Sequence, residues 1–232
     1  MFLLDGSSSI SPESFKEMLL FLQKFIQNLD VGADKVRVGV AQYSDQPYKE
    51  FLLKDHMDEA LLLDQVSKIE HRKGGTFTGK AITFLQQTFF TPEGGSRAAQ
   101  RVPQIAVVIT DGDSSDDVIE PARKLRQKGV IVFAIAIGSS NSTNLHEIAN
   151  RPHERFLFSI NSYQALQQLL DRLLQILCVT VEDQRAGMVA SPPHAPMNTN
   201  TNTHTCRHSG PHTHLFETRS ISKRKIRMIF NN

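Results

Sequence analysis

The 232-residue chain carries two cysteines, Cys178 and Cys206. They fall on opposite sides of the domain boundary expected below, form no disulfide framework and show no Cys-x-x-Cys pairing of the zinc-site kind. The redox compartment is therefore not legible from them. No apolar run approaches the ~20 residues that cross a bilayer, so no membrane span is expected. No signal peptide is read at the amino end, where apolar residues lead straight into a structural strand. Gly74-x-x-x-x-Gly79-Lys80 is followed by Ala81 rather than the Ser or Thr of a phosphate-binding loop, and Gly-x-Gly-x-x-Gly does not occur, which leaves a phosphate role for Gly74-Gly75 without its full motif.

Neither sign of charge dominates, with 26 Lys or Arg against 24 Asp or Glu, and the net value of +2 hides an asymmetry. From Gln184 onward there are seven Lys or Arg and one acidic residue. That segment carries +6, and residues 1–183 carry the balancing −4. A mildly acidic folded part gives no support for nucleic-acid binding. Hydrophobic content of 40% and charged content of 22% are ordinary for a globular chain, and the length suits one medium domain with an appendage.

Strand and helix patterns alternate through residues 1–181. Phe2-Leu3-Leu4 reads as a short strand. Ser11-Pro12-Glu13 then starts a helix, with a cap-like Ser and Pro in the first turn. Phe15, Met18, Leu22, Phe25 and Leu29 carry that helix onward at spacings of three and four. Val36–Tyr43 and Tyr48–Leu53 read as strands around the turn at Asp45-Gln46-Pro47, followed by helices over about Met57–Ile69 and Gly79–Phe90. Gln104–Thr110 and Val130–Ile137 are continuous apolar runs, the mark of parallel strands buried on both faces. Between them a helix is expected near Asp116–Lys128. The strand Arg155–Ile160 and a helix from Tyr163 to Leu177 complete the pattern. This alternation predicts an α/β fold, a doubly wound and mostly parallel six-stranded sheet with helices on both faces. Residues 182–232 differ in kind. Pro-rich and Asn-Thr/His-Thr repetition cannot bury enough apolar surface to offset ordering, so a disordered basic tail is expected, with a read-through character.

In such a sheet ligands collect where loops leave the carboxyl ends of the strands. Three loops there carry oxygen side chains: Asp5-Gly6-Ser7-Ser8-Ser9, Gly74-Gly75-Thr76-Phe77-Thr78-Gly79, and Thr110-Asp111-Gly112-Asp113. Alone, the first is also ordinary turn chemistry. Together they offer carboxylates and hydroxyls suited to a hard cation. Asp113, Asp116 and Asp117 resemble the start of a calcium loop, but Asp116 stands where an EF-hand needs glycine, which favours a solvated helix start. In the tail, Cys206 with His204, His208, His212 and His214 offers zinc-type ligands, and Ser222–Arg227 a basic run; solvated, unspecific roles explain both.

These motifs resemble the metal-ion-dependent adhesion site of von Willebrand factor type A domains. The resemblance covers essentially residues 1–180, and Val36–Tyr43 and Gly74–Ile82 look most like the A domains of collagen VI-type alpha chains. It implies metal ligation by Asp5, Ser7, Ser9, Thr76 and Asp111, with Thr78 the alternative to Thr76. The implied ion is Mg2+, or Mn2+ or Ca2+, and the implied act is docking an acidic residue of a partner rather than catalysis. Partners would be matrix or cell-surface proteins such as collagens and integrin-type receptors, and the location the extracellular matrix. Without a signal peptide an intracellular product stays open. Asn141 becomes a glycosylation acceptor only on export. The chain has no Gly-x-y repeat and forms no triple helix itself.

Two other readings stand beside this one. Only Met1 to Leu4 precede the first ligand loop, which makes a clipped, non-functional collagen VI-like product an alternative. A metal-assisted hydrolase with Asp5 or Ser7 as nucleophile would need a positioned base. No histidine or lysine accompanies the motif residues, and His71 is the nearest in sequence.

Overall fold

The computed structural model describes residues 1–138 and 143–189. Six strands form one sheet in the order β3-β2-β1-β4-β5-β6. The central strand β1, Phe2–Asp5, is buried throughout and pairs in parallel with β2, Val40–Tyr43, and β4, Gln104–Thr110. β4 pairs in parallel with β5, Val130–Ile137, and β5 with β6, Leu157–Ile160. The hairpin strand β3, Pro47–Phe51, runs antiparallel to β2. The expected doubly wound sheet is therefore the one observed. Every residue of β5 is buried, as its unbroken apolar run requires when helices cover both faces.

One helical layer joins α1, Pro12–Ile26, with α2, Glu59–Ser67, and α7, Leu166–Val189. The other joins α3, Thr78–Phe84, with α4, Ile119–Gln127, and α5, Thr143–Ile148. A short α6, His153–Phe156, precedes β6. α1 begins as its sequence dictates. Ser11 caps it by accepting from the Ser14 N–H at 3.1 Å, Pro12 opens the first turn, and Phe15, Met18, Phe21, Leu22, Phe25 and Ile26 fill the buried face. Burying each such side chain contributes roughly 1.5–3 kcal/mol. Among the described residues no helix is long and apolar enough to cross a membrane.

The boundaries depart from expectation where pairing, rather than pattern, decides them. β2 starts at Val40, not Val36, because both neighbours end their pairing there: Phe2 opposite Val40 on one side, Phe51 opposite Val40 on the other. The helix expected to reach Phe90 passes at Leu85–Phe89 into a π-helical turn. Arg155 lies in α6 instead of a strand, and its guanidinium reaches Thr180 Oγ1 and Asp183 Oδ2 on α7, both at 2.8 Å. That helix runs on past Leu177, and past residue 181, to Val189. Residues 182–189, expected in the disordered tail, are thus helical, while the rest of the tail, with its histidines and Cys206, and Asn141 lie outside the described residues.

Candidate functional site

The fold brings the first and third loops together at one edge of the sheet. Asp5, the last residue of β1, is fully buried and accepts on both carboxylate oxygens: Oδ1 from the Ser7 N–H at 2.8 Å, Oδ2 from the Thr110 hydroxyl at 2.6 Å. Ser7 Oγ lies 2.9 Å from Ser9 Oγ, and the Ser9 hydroxyl donates to Asp111 Oδ1 at 3.0 Å. Ser9 has one proton and gives it to Asp111, so Ser7 must be the donor of the serine pair. Four of the five expected residues thus form one chain of hydrogen bonds. Thr110 was not singled out beforehand. Its signal was a hydroxyl at the end of the apolar strand β4, next to Asp111.

The second loop is held by different means. Ser8 N–H donates to the Gly74 carbonyl and Gly74 N–H to Ser8 Oγ, both at 2.9 Å. On the other side Ser115 N–H donates to the Thr76 carbonyl at 2.7 Å. Gly74 has φ of 121°, in the left-handed region, and a Cβ there would meet Asp45 Oδ2 at 2.6 Å. The following helix α3 has no side-chain cap of its own. The third loop supplies one: Ser114 Oγ accepts from Thr78 N–H at 3.1 Å, and the Asp116 carboxylate accepts from Gly79 and Lys80 N–H, each at 2.8 Å. These bonds satisfy three backbone donors that a helix start leaves unpaired. The contact is close enough that a Cβ on Gly79 would lie 1.9 Å from the Asp117 carbonyl oxygen.

Thr76 therefore lies in a loop stitched to both others, although its hydroxyl makes no hydrogen bond among the described residues. Thr78 is committed elsewhere, buried and donating to the Tyr43 hydroxyl at 3.1 Å. Asp116 and Asp117 act as helix caps, the former for α3 and the latter for α4 through Ile119 and Glu120 N–H. His71 does come near, but its Nε2 faces the Ser7 backbone carbonyl at 3.1 Å, and its ring stacks on Phe15 at 4.5 Å. It touches no hydroxyl of the set.

Burial pushes the Asp5 carboxyl above its ordinary pKa. Bonds from Thr110 and Ser7 pull it down, and the neighbouring Asp111 adds to the rise. Burial likewise raises the Tyr43 phenol, with Asp5 next in effect. Two carboxylates 106 positions apart in sequence share this edge with three hydroxyls. Among the described residues no group of three or more His, Cys, Asp or Glu exists that could hold a metal. Any cation here would be bound largely by neutral oxygens, a donor set that fits a small hard ion keeping part of its water.

A family model for the von Willebrand factor type A domain matches residues 1–172. The chain belongs to that family. This type A domain is 42% identical over 184 residues to the mouse (Mus musculus) collagen alpha-4(VI) chain, covering 79% of the present chain and 8% of the collagen. It is 34% identical over 180 residues to matrilin-1 of Gallus gallus, covering 77% and 36%. The chain thus spans well under half the length of these relatives. Among solved structures, proximal thread matrix protein 1 from the mussel byssus, with a zinc-occupied MIDAS motif, superposes with a TM-score of 0.70 at 25% identity, covering 76% of this chain and 47% of that one. The likeness to collagen VI alpha chains agrees with what Val36–Tyr43 and Gly74–Ile82 imply.

Proposed function

We propose that this type A domain is an adhesion module of the extracellular matrix that docks an acidic group of a partner protein through a bound divalent cation. The observation that carries the reading is the bonded chain Ser7–Ser9–Asp111 beside buried Asp5. Asp5, Ser7, Ser9, Thr76 and Asp111 would hold the ion, Mg2+ by the hardness and neutrality of the donors, with Mn2+ or Ca2+ as substitutes. When bound, the ion supplies an electrophile for an outside carboxylate. The chain's own residues do the rest. Two carboxylates limit the charge donated to the ion, three hydroxyls orient it, and Thr110 and the Ser7 N–H fix the Asp5 carboxylate. Among the described residues the imidazole near the set, His71, faces the Ser7 backbone carbonyl and stacks on Phe15 rather than meeting a hydroxyl, which favours binding over turnover.

Matrix or cell-surface proteins that present an exposed Asp or Glu are the partners this chemistry fits. Calorimetric titration with Mg2+ of the wild type and of Asp111→Ala tests it. The wild type should bind and the variant should lose at least about 100-fold in affinity, since a direct ligand contributes at least as much as the residues that orient ligands. Equal binding by both would remove the proposal.

A further inference from the structure

Two imidazoles that the site above does not use face each other where α5 leads into α6. His146, exposed on α5, and His153, half-buried at the start of α6, bring their Nδ1 atoms to 2.9 Å. The backbone that carries them is pinned. Leu145 and Ile148 bury the inner face of α5, and the Arg126 guanidinium of α4 donates to the Glu147 and Ile148 carbonyls. Asn150 clips the connection to β5 through two bonds with Val132, each 2.9 Å. The fold itself therefore sets where the two rings meet.

Between two neutral rings one Nδ1 can donate to the other, or both can present lone pairs while their protons sit on Nε2. A straight N–H···N bond at this separation would set the rings end to end, with centroids about 5.2 Å apart. The centroids lie 4.7 Å apart with the planes at 72°, so at least one ring is turned off that line. Nε2 of His153 is enclosed with no hydrogen-bond partner among the described residues, which leaves Nδ1 as the atom through which that ring meets a ligand. The spacing suits a shared ion. Metal–nitrogen bonds of about 2.0–2.1 Å place two ligands about 2.9 Å apart at a right angle, and about 3.3 Å apart at a tetrahedral angle. Right angles belong to the square-planar or tetragonal ions, Cu2+ and Ni2+.

We propose that His146 and His153 together bind a divalent transition ion of that kind through their Nδ1 atoms. No third His, Cys, Asp or Glu joins them among the described residues, so water completes the coordination and the affinity is modest. These protein donors are nitrogens where those of the Asp5 set are oxygens, so the two places select different ions. The inference does not depend on the adhesion reading.

The probe is Ni2+, titrated by calorimetry into the full chain with Mg2+ in excess to occupy oxygen sites. Five of the nine histidines lie in the tail with Cys206. All proteins compared therefore carry His194→Gln, His204→Gln, His208→Gln, His212→Gln, His214→Gln and Cys206→Ser. This background protein should bind one Ni2+ and melt higher with it, because only the native state holds both ligands in place. His146→Ala and His153→Ala should each weaken binding at least about tenfold and abolish the rise in melting temperature. His56→Ala should change neither. Equal Ni2+ affinity in His146→Ala and the background protein overturns the proposal, as does a background protein that binds no Ni2+; the pair is then an ordinary hydrogen bond. His146 is exposed, so His146→Ala decides the question even where His153→Ala fails to fold.

Discussion

The Asp5 loop and the Thr76 loop face each other across the same edge, yet they are fixed by opposite means. Ser7, Ser9 and Asp111 are joined side chain to side chain, and Asp5 beneath them accepts from the Ser7 N–H and the Thr110 hydroxyl. Thr76 is held through its backbone, by Ser115 and by the caps that Ser114 and Asp116 lend to α3. In the first loop the groups proposed to bind the ion are themselves the structure. In the second the structure is a frame, and the proposed ligand hangs from it. Substitutions should therefore act on affinity directly in the first loop and through the position of α3 in the second.

The comparison breaks most visibly at Gly79. Gly79→Ala drives a methyl into the Asp117 carbonyl and should cost about 3 kcal/mol, the upper end of ordinary overpacking, seen as a lower denaturant midpoint. Metal affinity should fall with it, because α3 must withdraw from the third loop. Thr76→Ala should leave the midpoint nearly unchanged and weaken Mg2+ binding about tenfold, or roughly 1.4 kcal/mol, by calorimetry. Asp116→Ala removes two of the borrowed caps and should cost about 1 kcal/mol of stability, a loss that saturating Mg2+ partly restores by binding only the native state. Thr78→Val should leave Mg2+ affinity within about threefold of the wild type, since that hydroxyl serves Tyr43. A larger loss for Thr78→Val than for Thr76→Ala would reverse their roles.

Acid sharpens the contrast further. The Asp5 pKa in the folded chain lies above its unfolded value, so its ionisation opposes folding. That penalty is absent below the unfolded pKa of about 3.9, grows as pH rises toward the folded pKa, and is constant above it. Mg2+ offsets the penalty only where Asp5 is ionised. The rise in melting temperature produced by Mg2+ should accordingly be larger at neutral pH than near pH 4, measured by scanning calorimetry. An equal rise at both would place the ion away from Asp5.

Much of this was legible in the sequence, and the limits have physical causes. Periodicity exposed the buried face of α1 and the two doubly covered strands, because burial on one or two faces imprints directly on residue order. The end of β2 at Val40 did not show, because strand limits depend on what the neighbours pair with. Oxygen ligands announced themselves by residue type. Their mutual bonds, such as Ser9 to Asp111 across 102 positions, followed once the strand order placed both loops on one edge. Asp116 was misjudged as a helix start in its own right, for a cap lent to another helix 37 positions away leaves no local pattern.

The head-to-tail serines have a further consequence. With Ser7 donating to Ser9 and Ser9 to Asp111, both O–H bonds point along the relay rather than away from the edge. For those oxygens to turn lone pairs toward a cation, both rotors must swing together, giving up two contacts for the new ones. That cost lowers the apparent affinity of the site for any cation, so replacing either hydroxyl changes a ligand and the readiness of its neighbour together.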